Sequence, residues 1–369
     1  MKRKSWSIYF KIMIVCCLLL TKISVFGQEP PARVAAPLTS KSEEQLISAP
    51  EKSLVVDSAL FAPGSFVPTW SRGYWLTRVP ESNTQGTINL RVFDAKGVQI
   101  RQASVWVPGA SSVYLLAAVM GADDQAIVTG TALKDDGTRA YFIASVDATG
   151  ELTNLIQTNP FLAHSLCVSS EGKIWGFGQM ERGPDGADVA GDLLRQYDMH
   201  RGLTASFISA SSRVAASYGG PRREVFVGCT EGRVVVYSGP ANTVWDVNTA
   251  NGQVQQYKID RSVNNFAVHG FAMGEKGDVY GALADLRTKD GVQGLFRLSV
   301  LGGDGSLVRW VAVSGAVGRA GQAGLVSRVW GFDGPYLVHG ITGAALGSSE
   351  VQWSKVQEKV TSGPADLHP

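Results

Sequence analysis

Histidine and cysteine are scarce in this chain, with five and four among 369 residues. No Cys-x-x-Cys pair occurs, so no dithiol redox motif of that kind can be built. A Gly-x-Ser-x-Gly elbow, a Gly-rich phosphate loop and a readable Ser/His/Asp arrangement are all missing, which removes the signatures of the commonest hydrolases and nucleotide binders. No apolar run reaches the length of about 20 residues that spans a bilayer. Helical periodicity is hard to find after residue 55; short runs of β-branched and aromatic residues punctuated by glycine, 42 in all, take its place.

An excess of positive charge is also missing once the first 27 residues are set aside. MKRKSWSIYFK is a basic leader and IMIVCCLLL an apolar core too short for a span, so residues 1–27 read as a signal peptide. Val25 and Gly27 are small enough to precede a cleavage point, with Gln28 starting the mature chain. Lys22 interrupts the apolar run, against an uncleaved anchor, and the bulky or Cys neighbours of Cys16 and Cys17 argue against a lipid anchor. The leader holds Lys2, Arg3, Lys4, Lys11 and Lys22, so the whole-chain charge of +2 becomes −3 for residues 28–369, with 29 basic against 32 acidic residues. Nothing here predicts a nucleic-acid partner, and the expected destination is the periplasm or the medium. Cys167 and Cys229 remain after cleavage in a disulfide-permissive setting; two cysteines in a chain of this size are expected as small buried hydrophobes rather than as a bonded pair.

Residues 28–50 are rich in Pro, Ala and Ser without an apolar period and read as a flexible spacer, and 358–369 as a disordered tail. Between them, 51–357 carries a repeat. VFDAKGVQI (92–100), SVDATGELT (145–153), QYDMHRGLT (196–204), WDVNTANGQV (245–254) and LSVLGGDGSL (298–307) align on Gly97, Gly150, Gly202, Gly252 and Gly305, at steps of 53, 52, 50 and 53. Asp caps its own backbone in such a turn and Gly supplies the positive φ that closes the hairpin. A second series, SSEGKIWGFG (169–178), RREVFVGC (222–229), GEKGDVYGAL (274–283) and DGPYLVHGIT (333–342), reads as the second strand of each unit. A unit of about 52 residues holds four antiparallel strands. Six units are predicted, the last of them lacking a fourth strand; KSLVVDSALF (52–61) is expected to supply it and so remove an open sheet edge. A two-sheet sandwich is the alternative, but it gives no reason for a fixed step.

On these repeats the chain resembles the β-propellers over nearly all of residues 51–357. Trp245-Asp246 suggests a WD-repeat, yet the pair occurs once; Phe93-Asp94, Val146-Asp147, Tyr197-Asp198 and Ser299-Val300 stand in the equivalent places. The resemblance is closer to six-bladed bacterial exported propellers, a group with NHL-like, TolB-like and gluconolactonase-like members. It implies an all-β, six-bladed propeller with the last blade closed by an N-terminal strand, and Trp245 as a packing residue between blades. It also implies a loop face made by 158–164, 180–192, 238–244, 260–266, 284–294 and 314–324, onto which the central channel opens.

His164 and His269 lie eight residues before Gly172 and Gly277, which predicts that both start innermost strands and face the channel mouth two blades apart. They are the candidate acid/base residues. The alternative makes them polar plugs of the channel, because no third histidine falls in register to complete a metal site. Gluconolactonase-like propellers hold a divalent ion with carboxylates and an Asn; the inner strands here, read near 113–120, 163–170, 214–219, 266–273 and 325–332, carry no Asp or Glu, so neither metal nor cofactor is expected. Asp185, Asp188 and Asp192 lack calcium-loop spacing and read as a solvated turn. Arg213, Arg261, Asn264, Asn265, Arg319 and Arg328 are the candidate ligand-binding residues of a mildly cationic mouth. Three functions follow: a monomeric, non-catalytic exported module that presents its loop face to a protein or carbohydrate, a propeller enzyme of lactonase, lyase or sugar dehydrogenase type, and an envelope assembly partner tethered by the spacer 28–50.

Overall fold

The computed structural model describes residues 48–57, 68–79, 83–211, 225–260, 266–285, 292–301, 307–313, 318–319, 325–343 and 348–356. The predicted signal peptide, most of the spacer and the tail lie outside them. Among the described residues there are only strands and turns, and no helix long and apolar enough to cross a membrane.

The first strand, β1 (Lys52–Asp57), belongs to the last sheet. A four-stranded sheet then follows in β2 (Thr69–Ser71), β3 (Tyr74–Arg78), β4 (Leu90–Phe93) and β5 (Gln99–Ala103), and a second in β6 (Ala110–Met120), β7 (Ala126–Lys134), β8 (Arg139–Val146) and β9 (Leu152–Gln157). The third holds β10 (Phe161–Val168), β11 (Ile174–Met180), β12 (Ala190–Asp198) and β13 (Gly202–Ser211). Next come β14 (Val225–Thr230), β15 (Arg233–Ser238), β16 (Thr243–Asn248) and β17 (Val254–Ile259), then β18 (Phe266–Met273), β19 (Val279–Asp285), β20 (Val292–Leu301), β21 (Leu307–Ala312) and the short β22 (Gly318–Arg319). These form one nine-stranded sheet, because two antiparallel runs, β14–β17 and β18–β21, are joined edge to edge by the parallel pair β17/β21. The last sheet has the order β1-β25-β24-β23, with β23 (Leu325–Asp333), β24 (Tyr336–Gly343) and β25 (Ser348–Lys355).

The predicted closing strand is therefore present: β1 pairs antiparallel with β25 from Lys52↔Trp353 to Asp57↔Ser348. The end of the spacer is already tied down, since Ser48 N donates to the Lys355 carbonyl at 2.9 Å. The repeated turns form as the sequence requires. Asp94 Oδ1 accepts from the amides of Lys96 and Val98, both at 2.9 Å, and Asp147 Oδ1 from those of Thr149 and Glu151 at 2.9 and 3.0 Å. Gly97 and Gly150 close these turns at φ of 82° and 92°.

Two expectations need correction. RREVFVGC is not a second strand; Val225–Thr230 is the first strand of its run, and the turn that leads to the second is Glu231-Gly232, with Gly232 at φ 70°. The inner strand expected near 214–219 lies outside the described residues, and β14 occupies the place assigned to it. Cys167 and Cys229 are bonded, not free, with Cα atoms 6.0 Å apart. Adjacency of β10 and β14 brings them together across 62 residues of sequence, a juxtaposition that spacing alone does not reveal.

The first strands touch in cyclic order: β2 with β6, β6 with β10, β10 with β14, β14 with β18, β18 with β23, and β23 with β2. Neighbouring runs bury apolar side chains between them. Trp245 packs with Trp175 and Phe177 of the preceding sheet, its ring 6.0 Å from that of Phe177, as a packing residue. At the closure, Trp70 meets Trp75 edge-on at 4.8 Å and Trp353 at 5.7 Å, while Trp75 meets Trp330 at 5.4 Å. Such contacts add about 0.5–1.5 kcal/mol per pair beyond burial.

Val56, 1% exposed in that cluster, is a sensitive point: Val56→Asp buries an unpaired carboxylate and is expected to cost more than about 3 kcal/mol in urea unfolding. Replacing both Cys167 and Cys229 by Ser is expected to cost about 2–4 kcal/mol in the same measurement, through the freed chain entropy of the unfolded state.

Candidate functional site

The innermost strands are not regular. The ladder slips by one residue at Leu116 in β6, His164 in β10, His269 in β18 and Trp330 in β23. Each is a bulge, which leaves backbone groups out of the ladder and sharpens the local twist. His164 and His269 thus share a register, as the spacing predicts, but they do not start their strands. Each is the fourth residue, in mid-strand. The partner strand must yield space: a Cβ on Gly178, which pairs with Ala163, would collide with the Leu162 carbonyl oxygen.

Side chains from neighbouring strands satisfy the carbonyls around these bulges. Arg78 donates to the carbonyls of Leu115, at 3.2 Å, and Leu116. Arg328 Nη1 donates to the His269 carbonyl at 2.8 Å, and Thr129 Oγ1 to that of Ala163 at 3.3 Å. Ser165 Oγ joins β10 to β14 through the Val225 carbonyl at 3.0 Å.

Inside the ring of first strands lies a cavity of about 260 Å³. Its polar lining comes from Thr69, Arg78, His164 and Ser165, its apolar lining from residues such as Val119, Leu166, Phe177, Val227 and Phe271. Phe271 stacks on Phe226 with ring centroids 5.8 Å apart and planes 4° from parallel. Among the described residues no Asp or Glu lines the cavity. The Cys167–Cys229 bond staples β10 to β14, two of the strands that form its wall.

Of the residues singled out by sequence, His164 enters this cavity and His269 is not part of its lining. The His269 imidazole is pushed down to about 4 by burial and by the positive charge of Arg328. Burial also lowers the pKa of Arg328. Arg213, Arg261, Asn264 and Asn265 lie outside the described residues; the backbone of Arg319 pairs with Val292. The three loop carboxylates go separate ways: Asp185 Oδ1 caps Ala187 N at 2.9 Å, Asp188 lies 3.6 Å from Arg182, and Asp192 accepts from Ser206. Among the described residues no group of three or more His, Cys, Asp or Glu is arranged to hold a metal ion.

Sequence reasoning passed over Arg78, although an arginine ending the otherwise apolar YWLTR strand is a detectable signal. It also placed His339 only in a second strand. That histidine is buried in β24 with Nε2 2.9 Å from Ser354 Oγ, and burial pushes it down to about 4 against the opposing pull of Glu350.

No family model matches the chain, and no curated protein matches it in sequence. Among solved structures it is similar to a Bacteroides fragilis protein described as exported, with a TM-score of 0.50 and 10% identity over 86% of this chain and 98% of that one. A luciferin-regenerating enzyme overlays with a TM-score of 0.45 at 11% identity, over 82% of this chain and 95% of its own. A glucose dehydrogenase does so at 0.41 and 14%, over 83% and 99%. The likeness is one of fold: an all-β, propeller-like arrangement of four-stranded antiparallel sheets.

His269 and His339 titrate near 6.5 when exposed and near 4 in the fold. Between those values the unfolded chain binds more protons, so folding stability is expected to fall as pH drops from about 6.5 to about 4 and to stay level with respect to these groups above. Urea titrations across that range check it: His339→Gln is expected to flatten the slope.

Proposed function

We propose that the chain is an exported six-bladed propeller, spanning residues 51–357, that works as a non-catalytic binding module through its central cavity and surrounding loop face. The count of six follows from treating the two four-stranded runs of the nine-stranded sheet as separate blades, in keeping with the cyclic contacts of the six first strands. A disulfide between two of those strands fits a chain that matures in an oxidising compartment, in line with the leader at 1–27 and a spacer that sets the propeller apart.

The observation that carries the reading is the makeup of the central cavity. Its described lining offers hydrogen-bond donors and apolar surface to a ligand, and among the described residues it holds neither the paired carboxylates of a glycosidase-type acid/base site nor a cage for a hard cation. Its arginine is occupied in holding bulge carbonyls, so the site is preorganised. The chemistry suits a sugar ring or the tip of a protein loop that brings its own acceptors. The position of His164 in the same cavity favours the second reading, an enzyme of lactonase, lyase or sugar dehydrogenase type with His164 moving a proton.

The two readings part on one set of measurements with the chain from Gln28 onward, exported without chelator. Native mass spectrometry and capture experiments are expected to find a ligand or partner whose affinity drops at least tenfold in Val227→Trp, which fills the cavity, and to find no turnover of lactones, uronide lyase substrates or aldoses. Turnover abolished by His164→Ala, with the variant still folded, puts the enzyme in place of the binding module. A ligand bound equally well by the filled variant overturns the cavity as the site.

A further inference from the structure

A second cavity, about 300 Å³, lies between the run β14–β17 and the run β18–β21, away from the central one. It adjoins the junction where, among the described residues, two neighbouring runs pair edge to edge. β17 and β21 pair in parallel at Lys258↔Leu307 and Ile259↔Val308, and Asp260 N donates to the Val308 carbonyl at 2.8 Å, with Arg309 bound to the Asp260 carboxylate. The two outer edges are drawn together at that end. Beside this junction a cleft remains, reaching the turn that contains Gly277.

The walls are charged and already paired. On one side Arg233 forks onto Asp246, Nε to Oδ1 at 2.8 Å and Nη2 to Oδ2 at 2.6 Å, and its Nη1 crosses the cleft to the Gly277 carbonyl at 3.1 Å. The φ of 82° at Gly277 favours glycine, and a Cβ there would push the Arg233 guanidinium aside. On the other side Arg297 Nη2 donates to Asp278 Oδ1 at 2.5 Å. Tyr257, Lys276 and Ser299 complete the polar lining, over an apolar floor that includes Val235, Val244 and Val308. Both ion pairs are partly exposed, so a ligand can reach them.

Planar guanidinium and carboxylate groups each engage two adjacent hydroxyls at once, the first as a double donor and the second as a double acceptor. A hydroxyl is both donor and acceptor, so a pair of vicinal hydroxyls can bind such a wall without breaking the Arg–Asp pairs. A free anion, in contrast, finds both arginines already paired with carboxylates, which leaves Lys276 as the one cationic side chain of the described lining outside the two Arg–Asp pairs. We propose that the cleft between the β14–β17 and β18–β21 runs is a saccharide-binding site, in which Asp246, Asp278, Arg233 and Arg297 engage vicinal hydroxyls of a neutral sugar ring lying on the apolar floor. The volume matches the lower end of small-molecule sites, about 300–1,000 Å³. The proposal does not rest on the central cavity.

The test uses the chain from Gln28 onward on an array of neutral and uronate-bearing oligosaccharides, followed by calorimetry with the glycans retained. Neutral glycans are expected to bind. Asp278→Asn and, independently, Lys276→Ala combined with Ser299→Trp are expected to weaken that binding at least tenfold with thermal stability kept, while His164→Ala and Val227→Trp leave it unchanged. Because those last two variants report on the central cavity, failure of either site is visible separately. Absence of binding to every glycan, binding insensitive to both groove variants, or competition by millimolar sulfate that marks an anion site would each overturn the proposal.

Discussion

Closure of the ring of sheets is the constraint on which everything else rests. A propeller-like array of sheets has a seam where the first and last meet, and an unsealed seam exposes strand edges and a core face. Here the seam is sealed twice. β1 adds six paired residues to the edge of β25, and four tryptophans, Trp70, Trp75, Trp330 and Trp353, interlock edge-on across the junction of the first and last sheets. Trp70 Nε1 also donates to the Phe332 carbonyl at 3.0 Å and Trp353 Nε1 to Asp333 at 3.1 Å, so the polar edges of these two rings are satisfied.

With the ring closed, the first strands converge and must twist to fit around a centre. The bulges at Leu116, His164, His269 and Trp330 supply that twist, and their cost is a set of carbonyls outside the ladder. Arg78 and Arg328 answer it. These cations sit near the centre for a structural reason: Arg78 lines the cavity, and Arg328 adds its charge to burial in lowering the proton affinity of His269. Structure and site chemistry therefore share the same residues.

Two kinds of space result. The central cavity, framed by regular repetition, is mostly apolar with a few donors. The cleft between the β14–β17 and β18–β21 runs arises where repetition fails, as the parallel pairing of β17 and β21 pulls one end of the junction shut, and it is walled by ion pairs. Trp245-Asp246 shows how one dipeptide serves both purposes: the indole fills the interface with the third sheet, and the carboxylate turns the other way to hold Arg233 in the cleft.

Local rules were enough for much of this. Asp-to-Gly turns at Asp94, Asp147 and Asp198 depend on residues within four positions of one another, as does the alternation that marks each strand, so the all-β class, the four-strand unit and a closing strand within 52–61 could be read from the chain in order. The equal register of His164 and His269 was legible for the same reason. Long-range placement was not. Whether Cys167 meets Cys229 and that Arg328 is spent on a carbonyl depend on strand neighbours 62 and 59 positions away in sequence, and which of two equivalent histidines reaches the cavity depends on the strands packed beside each. Misreading 222–229 as a second strand had the same root, because a strand's rank within its sheet is fixed by pairing partners and not by its own residues. Sequence determined the repeating element and its turns; tertiary structure decided the bulges, the buried charges and the cleft, because these arise only where separate repeats press against one another.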